Sequence, residues 1–409
     1  MDVVYERCCG LDVHKKSVVA CLVTPGSGRA PRKELRTFGT MTDDLLALGD
    51  WLAAAGCTHV AMESTGVYWQ PVWNLLEDRF ALLLVNARHI KAVPGRKTDV
   101  RDCEWIADLL RHGLLRGSVV PDREHRELRE LVRYRTALTR ERAAEVNRLQ
   151  KVLEGANIKL AGVASDVLGV SGRHMLDALV AGATDPAALA GLALGQLQKK
   201  RPELERALAG RLGPAQRYLV ATMLAHIDAL DATLAELSDK IREQMRPFEG
   251  AIERLDTIPG VGRRIAEIVV AELGTDLRRF PTAGHLASWA GLCPGNDESA
   301  GKRRSGKTRK GNRSLRWALI EAAQAASRTR GTYLAAQFHR LAARRGKKKA
   351  TVAVAHSILV AAYHLLTRPD LYADLGGDYF DRRDREAVEH RLVRRLEALG
   401  NKVTLEKVG

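Results

Sequence analysis

The chain has 409 residues, of which 45% are apolar, enough to fill two or three cores, so wholesale disorder is excluded. Its 65 Lys and Arg outnumber 49 Asp and Glu, and the resulting charge of +16 points to a polyanionic partner, most simply nucleic acid. Aromatic residues are only 5% of the total, which weighs against a surface made of base-stacking platforms.

Residues 1–122 read as an α/β domain. Short apolar runs at Cys8–Val13 and Ser17–Thr24 predict paired strands, with a third around Glu34–Phe38. Thr42 is positioned to cap a helix running to about Ala55, with Leu45, Leu46, Leu48, Trp51 and Leu52 on its apolar side. Thr58–Met62 reads as a strand that stops at Glu63, and Val72–Leu76 as part of a short helix. Phe80–Val85 reads as a buried strand and Val100–Leu110 as an amphipathic helix, giving the order β-β-β-α-β-α-β-α.

Residues 123–247 contain two long charged helices, at 125–155 and 215–246. In the second, Met223, Leu230 and Leu237 repeat every seven residues, and Ile227, Leu234 and Ile241 do the same with an offset of four, the a/d seam of a coiled coil. Leu131, Tyr134, Leu138, Val146, Leu149 and Leu153 make a weaker seam in the first. The two helices can pair as an antiparallel hairpin within one chain or associate between subunits. Between them, 156–213 reads as small helices broken by Gly162, Gly169, Gly172, Pro186 and Gly213.

Residues 248–370 read as an all-α domain. Ala251–Ile258, the turn Pro259-Gly260-Val261-Gly262 and Arg263–Leu273 have the form of a helix-hairpin-helix. Pro281-Thr282 opens a further helix, and others follow over 313–328 and 351–366. The tail, 371–409, is charged, with a helix expected over 383–398. No apolar run reaches the roughly 18–20 residues of a membrane span; the longest, Thr351–Leu366, is interrupted by His356 and His364. The N-terminus lacks the pattern of a signal peptide. Cys8, Cys9, Cys21, Cys57, Cys103 and Cys293 show no C-x-x-C spacing and read as reduced, buried thiols of a cytoplasmic protein.

Four acids stand out. Asp12 ends the first strand in Gly10-Leu11-Asp12-Val13-His14-Lys15, and Glu63 ends a later one in Ala61-Met62-Glu63-Ser64-Thr65-Gly66. Asp99 and Asp102 are three residues apart, which puts both carboxylates on one face of a helix. A carboxylate within an apolar strand is costly unless paired or metal-bound. A converging set would repel itself, and divalent cations resolve both problems; hard oxygen ligands suit Mg²⁺. A pair of such ions about 4 Å apart serves phosphodiester chemistry. Taken singly, Asp99 and Asp102 are also the acids that a helix N-terminus attracts. Asp108 reads as a solvated helix acid at the margin of the set, and His14 as a polar neighbour of Asp12.

The glycines of the 259–262 turn, Gly260 and Gly262, are expected to let backbone N–H groups reach a phosphate, with Arg263 and Arg264 adding charge. The plain alternative is a tight turn between packed helices. Between Ser299 and Ala350 there are sixteen Lys and Arg against one acid, Glu321, so the polyanion-binding surface belongs mainly to the C-terminal third. The loop from Gly291 to Asn312 carries Ser299, then Lys302, Arg303, Arg304, Lys307, Arg309 and Lys310, with Arg313 opening the next helix. Cations beside a serine suit charge developing on a phosphoryl group. Gly301, Gly306, Lys307 and Thr308 match the phosphate-loop spacing, but the flanking strand and helix are missing, so the match is read as accidental.

Together, Gly-Leu-Asp-Val-His-Lys at 10–15, Met-Glu-Ser-Thr-Gly at 62–66 and Lys-Thr-Asp-Val-Arg-Asp at 97–102 resemble the DEDD transposases of insertion sequence family 110. So do Ile-Pro-Gly-Val-Gly at 258–262, Gly-Leu-Cys-Pro at 291–294, Ser-Ala-Gly-Lys at 299–302 and Lys-Gly-Asn-Arg-Ser-Leu-Arg at 310–316. The pilin-gene-inverting recombinases are a related group. The resemblance implies a RuvC-type, ribonuclease-H-like N-terminal domain whose DEDD set, Asp12, Glu63, Asp99 and Asp102, binds Mg²⁺. It implies a helical transposase domain in which one serine, Ser299 by motif position, attacks DNA and becomes joined to it. Family members often carry Ser-Gly-Gly-Lys or Ser-Ser-Gly there, whereas here Glu298 precedes and Ala300 follows, so Ser305 stays as an alternative. It further implies coiled-coil assembly into a homo-oligomer, a tetramer of two dimers, that holds donor and target DNA under the guidance of a structured bridge RNA. The setting implied is the bacterial cytoplasm, at the nucleoid.

Two rival readings remain at this point. A RuvC-like Holliday-junction nuclease would use water and leave the serine segment without a role. A non-catalytic nucleic-acid-binding protein would leave the four acids unexplained.

Overall fold

The computed structural model describes residues 2–26, 30–64, 66–86, 90, 102–295 and 297–406. The chain divides into two compact units, Met1–Arg123 and Glu124–Gly409.

The first unit is built on a five-stranded sheet. Its strands are β1 (Cys8–Val13), β2 (Val18–Thr24), β3 (Arg32–Phe38), β4 (His59–Glu63) and β5 (Ala81–Val85), in the order β3-β2-β1-β4-β5. The first three pair antiparallel, while β4 runs parallel to both β1 and β5. Its helices include α1 (Thr42–Ala54), α2 (Trp69–Leu76) and α3 (Asp102–Arg111), which follow the strands in the expected order among the described residues. This mixed sheet with flanking helices is consistent with a ribonuclease-H-like domain.

Strand alternation sorts the sheet into two faces. Cys9, Leu11, Val13, Val60 and Met62 pack with Leu45, Leu48 and Leu52 of α1 and with Val72 and Leu76 of α2. Cys8, Cys21, Ala61 and Val85 pack on the other face with Cys103, Ile106, Ala107 and Leu110 of α3. Two expectations for α1 are corrected: Met41 takes the N-cap position, leaving Thr42 inside the first turn, and Leu46 points to solvent at 45% exposure.

The second unit is mostly helical. The long helices are α4 (Arg123–Gly155) and α8 (Pro214–Met245). They lie antiparallel: Val132 shares a core with Ile241 and Met245, Leu138 meets Leu230 and Leu234, and Leu149 meets Val220 and Leu224. Arg142 forks onto Asp231 across the pair. The heptad residues Met223 and Leu237 are only half-buried, and Tyr134 is exposed. Between them, α5 (Val170–Ala181), α6 (Pro186–Gly191) and α7 (Arg201–Ala207) form a separate core at the far end of the pair. Gly172, expected to break a helix, lies within α5.

The near end of the pair joins a larger core. It contains α9 (Glu249–Asp256), α10 (Arg263–Leu273), α11 (Ala283–Trp289), α12 (Arg313–Ala326), α13 (Tyr333–Arg345) and α14 (Lys347–Thr367). Thr282 caps α11, accepting from the His285 N–H. The tail carries α15 (Tyr379–Arg383) and α16 (Arg385–Glu397). By length and composition two segments, Pro214–Asp256 and Lys347–Thr367, reach the apolarity of a membrane-crossing helix, which corrects the expectation that none would. In α14 the reason is internal, since Val354, Ala355, Ile358, Leu359 and Ala362 form core. All six cysteines are free thiols, five of them buried.

Candidate active site and nucleic-acid interface

In the first unit, the parallel pairing of β1 with β4 decides where the acids go. Its register matches Leu11 with Met62, which carries Asp12 to the place beside Glu63 at the same end of the sheet. Alternation then puts Asp12 on the face of Cys8 and Gly10, and Glu63 on the face of Ala61, the side that α3 covers. Gly10 makes that cover possible: a Cβ there would sit 2.3 Å from the Cys103 carbonyl oxygen and 2.5 Å from the Ala107 nitrogen. Helix α3 runs back along β1, with the Cys8 thiol on the Ala107 carbonyl and the Val4 N–H on the Arg111 carbonyl. Its first residue, Asp102, therefore stands at the carboxylate end. Burial pushes the adjacent Cys103 thiol up to about 11, with the charges of Glu104 and Asp12 adding to the effect.

The structure thus brings Asp12, Glu63 and Asp102 to one end of one sheet face. Asp99 lies outside the described residues, and among the described residues no three His, Cys, Asp or Glu side chains gather closely enough to hold a metal ion. The donor set is all carboxylate oxygen, the chemistry a hard divalent cation selects. Asp12 is partly exposed, at 24% of its side chain, and its Oδ2 is 3.1 Å from His14 Nε2. Asp108 belongs elsewhere, since it pairs with Lys33 of β3 at 2.7 Å.

In the second unit, the serine segment expected to be a loop is a β-hairpin. Strands β6 (Asp297–Ser299) and β7 (Lys302–Ser305) flank a two-residue turn, Ala300-Gly301, with φ of 50° and 73°. Both angles are left-handed, as a type I′ hairpin turn demands. Ser299 therefore ends β6 opposite Lys302 at the tip; its side chain, like those of Arg303 and Arg304, lies outside the described residues. The hairpin also rules out a phosphate-loop geometry at Gly301–Thr308, where β7 leads to a bridge with Pro294 rather than to a helix.

The root of the hairpin is tied down by two glycines back to back. A Cβ on Gly311 would meet the Gly291 nitrogen at 2.4 Å, and one on Gly291 the Gly311 nitrogen at 2.8 Å. Asn312 caps α12 through its Oδ1, accepting from the Leu315 N–H, and its Nδ2 donates to Glu272 at 2.6 Å. Beside this root lies a groove of about 1200 Å³. Lys307, Arg309, Lys310 and Arg316 line one side, and Arg345, Lys348 and Lys349 the other, with no acid among the lining residues. The two basic runs, remote in sequence, thus face one space. Lys302 and Arg313 are exposed nearby in sequence, at the tip and at the start of α12.

The 259–262 turn is corrected in part. Gly260 (φ 86°) serves packing, because a Cβ would meet the Ala322 carbonyl oxygen of α12 at 2.3 Å. Gly262 caps α10, with open space where a Cβ would be. Arg263 is held by acids of its own chain: it forks onto Glu249 at 2.6 and 2.8 Å and reaches Glu267 at 3.1 Å.

Sequence reading missed the acids of α10. Glu272 is fully buried and takes both arms of Arg133, at 2.7 and 2.9 Å, with Arg129 Nε at 3.3 Å. Glu267 binds Arg135 at 2.6 Å. The signal was two acids in the otherwise apolar run Ala266–Leu273, matched by arginines at helical spacing in α4.

Two family models match the chain: the DEDD transposase model of IS110 over residues 9–158, and the model described as "Transposase IS116/IS110/IS902 family" over residues 252–340. Relatives include a protein of Pseudomonas aeruginosa named "Probable family 20 transposase", 27% identical over 66% of this chain and 71% of that one. The transposase for insertion sequence element IS1111A of Coxiella burnetii is 24% identical over 71% of this chain and 72% of its own length. The insertion element IS110 uncharacterized 43.6 kDa protein of Streptomyces coelicolor is 31% identical over 56% and 60% respectively.

Proposed function

The chain belongs to the IS110 family of DNA transposases, and from that premise we propose that it cuts and rejoins DNA with Ser299 as nucleophile and a DEDD carboxylate set as its metal site. The observation that carries the reading is the convergence of Asp12, Glu63 and Asp102 at one end of the α3-covered face. Mg²⁺ held by Asp12, Glu63, Asp99 and Asp102 would supply charge stabilisation at the phosphodiester. In this reading Ser299 is presented on the hairpin tip, and Lys302, Arg303 and Arg304 offset charge that develops on the phosphoryl oxygens. Lys307, Arg309, Lys310 and Arg313 hold the DNA backbone, and the α9–α10 turn acts as a helix-hairpin-helix through Gly262 and the first N–H groups of α10. By family resemblance, a bridge RNA selects donor and target DNA, and the α4–α8 pair serves assembly into a tetramer.

A hydroxyl is a weak nucleophile near neutral pH and needs a base, a metal or strong charge stabilisation. Asp12→Asn should abolish strand exchange while leaving the fold intact. Ser299→Ala should lose both cleavage and the covalent protein–DNA adduct, whereas Ser305→Ala should keep them. Normal recombination by Asp12→Asn in Mg²⁺ would sink the metal-site reading, and an adduct that needs Ser305 instead would move the nucleophile. An active enzyme that forms no adduct at all would favour the water-using nuclease. Mixed Asp12→Asn and Ser299→Ala subunits should regain activity if the two halves are shared between chains.

A further inference from the structure

The groove at the hairpin root combines two properties that a duplex cannot satisfy together. Its rim is cationic, with Lys307 and Lys310 facing Lys348 and Lys349. Its floor is not: Leu292, Pro294, Val352, Ala353 and the His356 ring line the same space. On α14 the residues 349, 352, 353 and 356 fall on one helical face, so the change from cation to apolar surface runs along the groove. Burial holds the His356 imidazole below its ordinary value of 6.5, which keeps the ring uncharged near neutral pH and fit to lie against a base.

Double-stranded DNA shows phosphates outward and keeps its base faces stacked inside. It would engage the rim and leave the apolar floor without a partner. An unpaired strand offers both surfaces, phosphates for the cations and base faces for the floor. We propose that this groove holds a short unpaired DNA strand, bases on Val352, Ala353 and His356 and phosphates on the lysines, at the root of the hairpin that carries Ser299. DNA is the occupant because the family acts on DNA and because the groove leads into that hairpin. The proposal deepens the transposase reading by naming the form of DNA that the second unit grips.

The test is equilibrium binding by fluorescence anisotropy of the full chain, so that it does not depend on cleavage or strand transfer. The probes are a short oligothymidylate, an abasic strand of the same length and charge, the corresponding blunt duplex, and oligouridylate. Oligothymidylate should bind about tenfold tighter than the abasic strand, since base stacking contributes per base. Val352→Asn should remove most of that preference without changing the salt dependence. The double variant Lys348→Ala, Lys349→Ala should weaken the thymidylate and abasic strands alike and lower the salt slope by about 0.7 per lost phosphate contact. Circular dichroism melting of each variant separates lost binding from lost folding; should Val352→Asn fail to fold, Val352→Thr takes its place.

Equal affinity for the abasic strand, or tighter binding of the duplex, overturns the proposal. Tighter binding of oligouridylate overturns it too and assigns the groove to RNA. Failure here with Asp12-dependent strand exchange intact leaves the transposase reading standing. Loss of strand exchange chemistry with base-dependent binding intact does the reverse.

Discussion

Glu272 ties α4, α10 and the cap of α12 together from a fully buried position, and Glu272→Ala measures what that is worth. The carboxylate is 0% exposed, accepts hydrogen bonds from Arg133 and Asn312, and pairs with the Arg129 guanidinium. Removing one partner of a buried ion pair costs about 3–5 kcal/mol, because the charges left behind stay desolvated. Two facts lower the figure here. Arg133 is half-exposed and regains water, and Arg129 keeps the carbonyls of Ala271 and Glu272. The expected loss is therefore near the lower end, about 3 kcal/mol. At about 2–4 °C per kcal/mol for large domains, the melting transition should fall by about 6–12 °C. Glu272→Gln keeps the shape and one carbonyl oxygen, so it should lose about half as much, in line with hydrogen bonds to charged groups. Urea or thermal denaturation followed by circular dichroism gives both values. A Glu272→Ala protein within about 1 kcal/mol of the parent would refute the reasoning, since a loss that small is what an exposed pair gives.

Other consequences are open to the same kind of measurement. Gly260→Ala must place a Cβ against the Ala322 carbonyl at a left-handed φ, so a loss of about 2–4 kcal/mol is expected; unchanged stability would show that α12 does not pack there. Ala300→Gly relieves a left-handed non-glycine residue by about 1 kcal/mol, which hydrogen exchange should show as about fivefold greater protection across β6 and β7. His59 and His356 both have folded values held below 6.5 by burial. Below pH 6.5 the unfolded chain therefore takes up protons that the folded chain refuses, and stability falls as pH drops towards the folded values. His356→Gln should flatten the stability profile across that window, and an unaltered profile would remove His356 as a cause.

Much of the first unit is legible in the sequence because β1, β2, β4 and β5 are short apolar runs, two of which, β1 and β4, carry an acid at their ends. Asp12 and Glu63 are visible as strand-end carboxylates, but their meeting is not. It depends on β1 pairing parallel with β4, a long-range choice that local apolar pattern does not encode. Thr42 misleads because a good capping residue is equally at home inside a first turn when Met41 takes the cap. The serine segment reads as a loop since no apolar alternation marks β6 or β7; the hairpin is set by Ala300-Gly301, of which only Gly301 announces a left-handed turn. Gly260 and Arg263 look like phosphate ligands because helix α12 and Glu249, which claim them, are invisible to local reading. Conversely, the heptad leucines Leu230 and Leu234 meet Leu138 of the same chain, since α4 supplies an apolar partner at the matching level.

The antiparallel helices α4 and α8 also fix a length. The near core ends about Val132 and the far core begins about Leu149, with Leu138, Leu230 and Leu234 as the buried cluster between. At 1.5 Å per residue the interval is about 25 Å, spanned by two helices that brace each other. Such a span works as a ruler. Whatever the far core touches is held at a set distance from the basic groove, and the setting can change only in helical steps. Seven residues added to both helices would lengthen the ruler by about 10 Å and return the far core to nearly the same heading, because two turns of helix take 7.2 residues. Two residues added to both would gain little length and swing the far core to the opposite side.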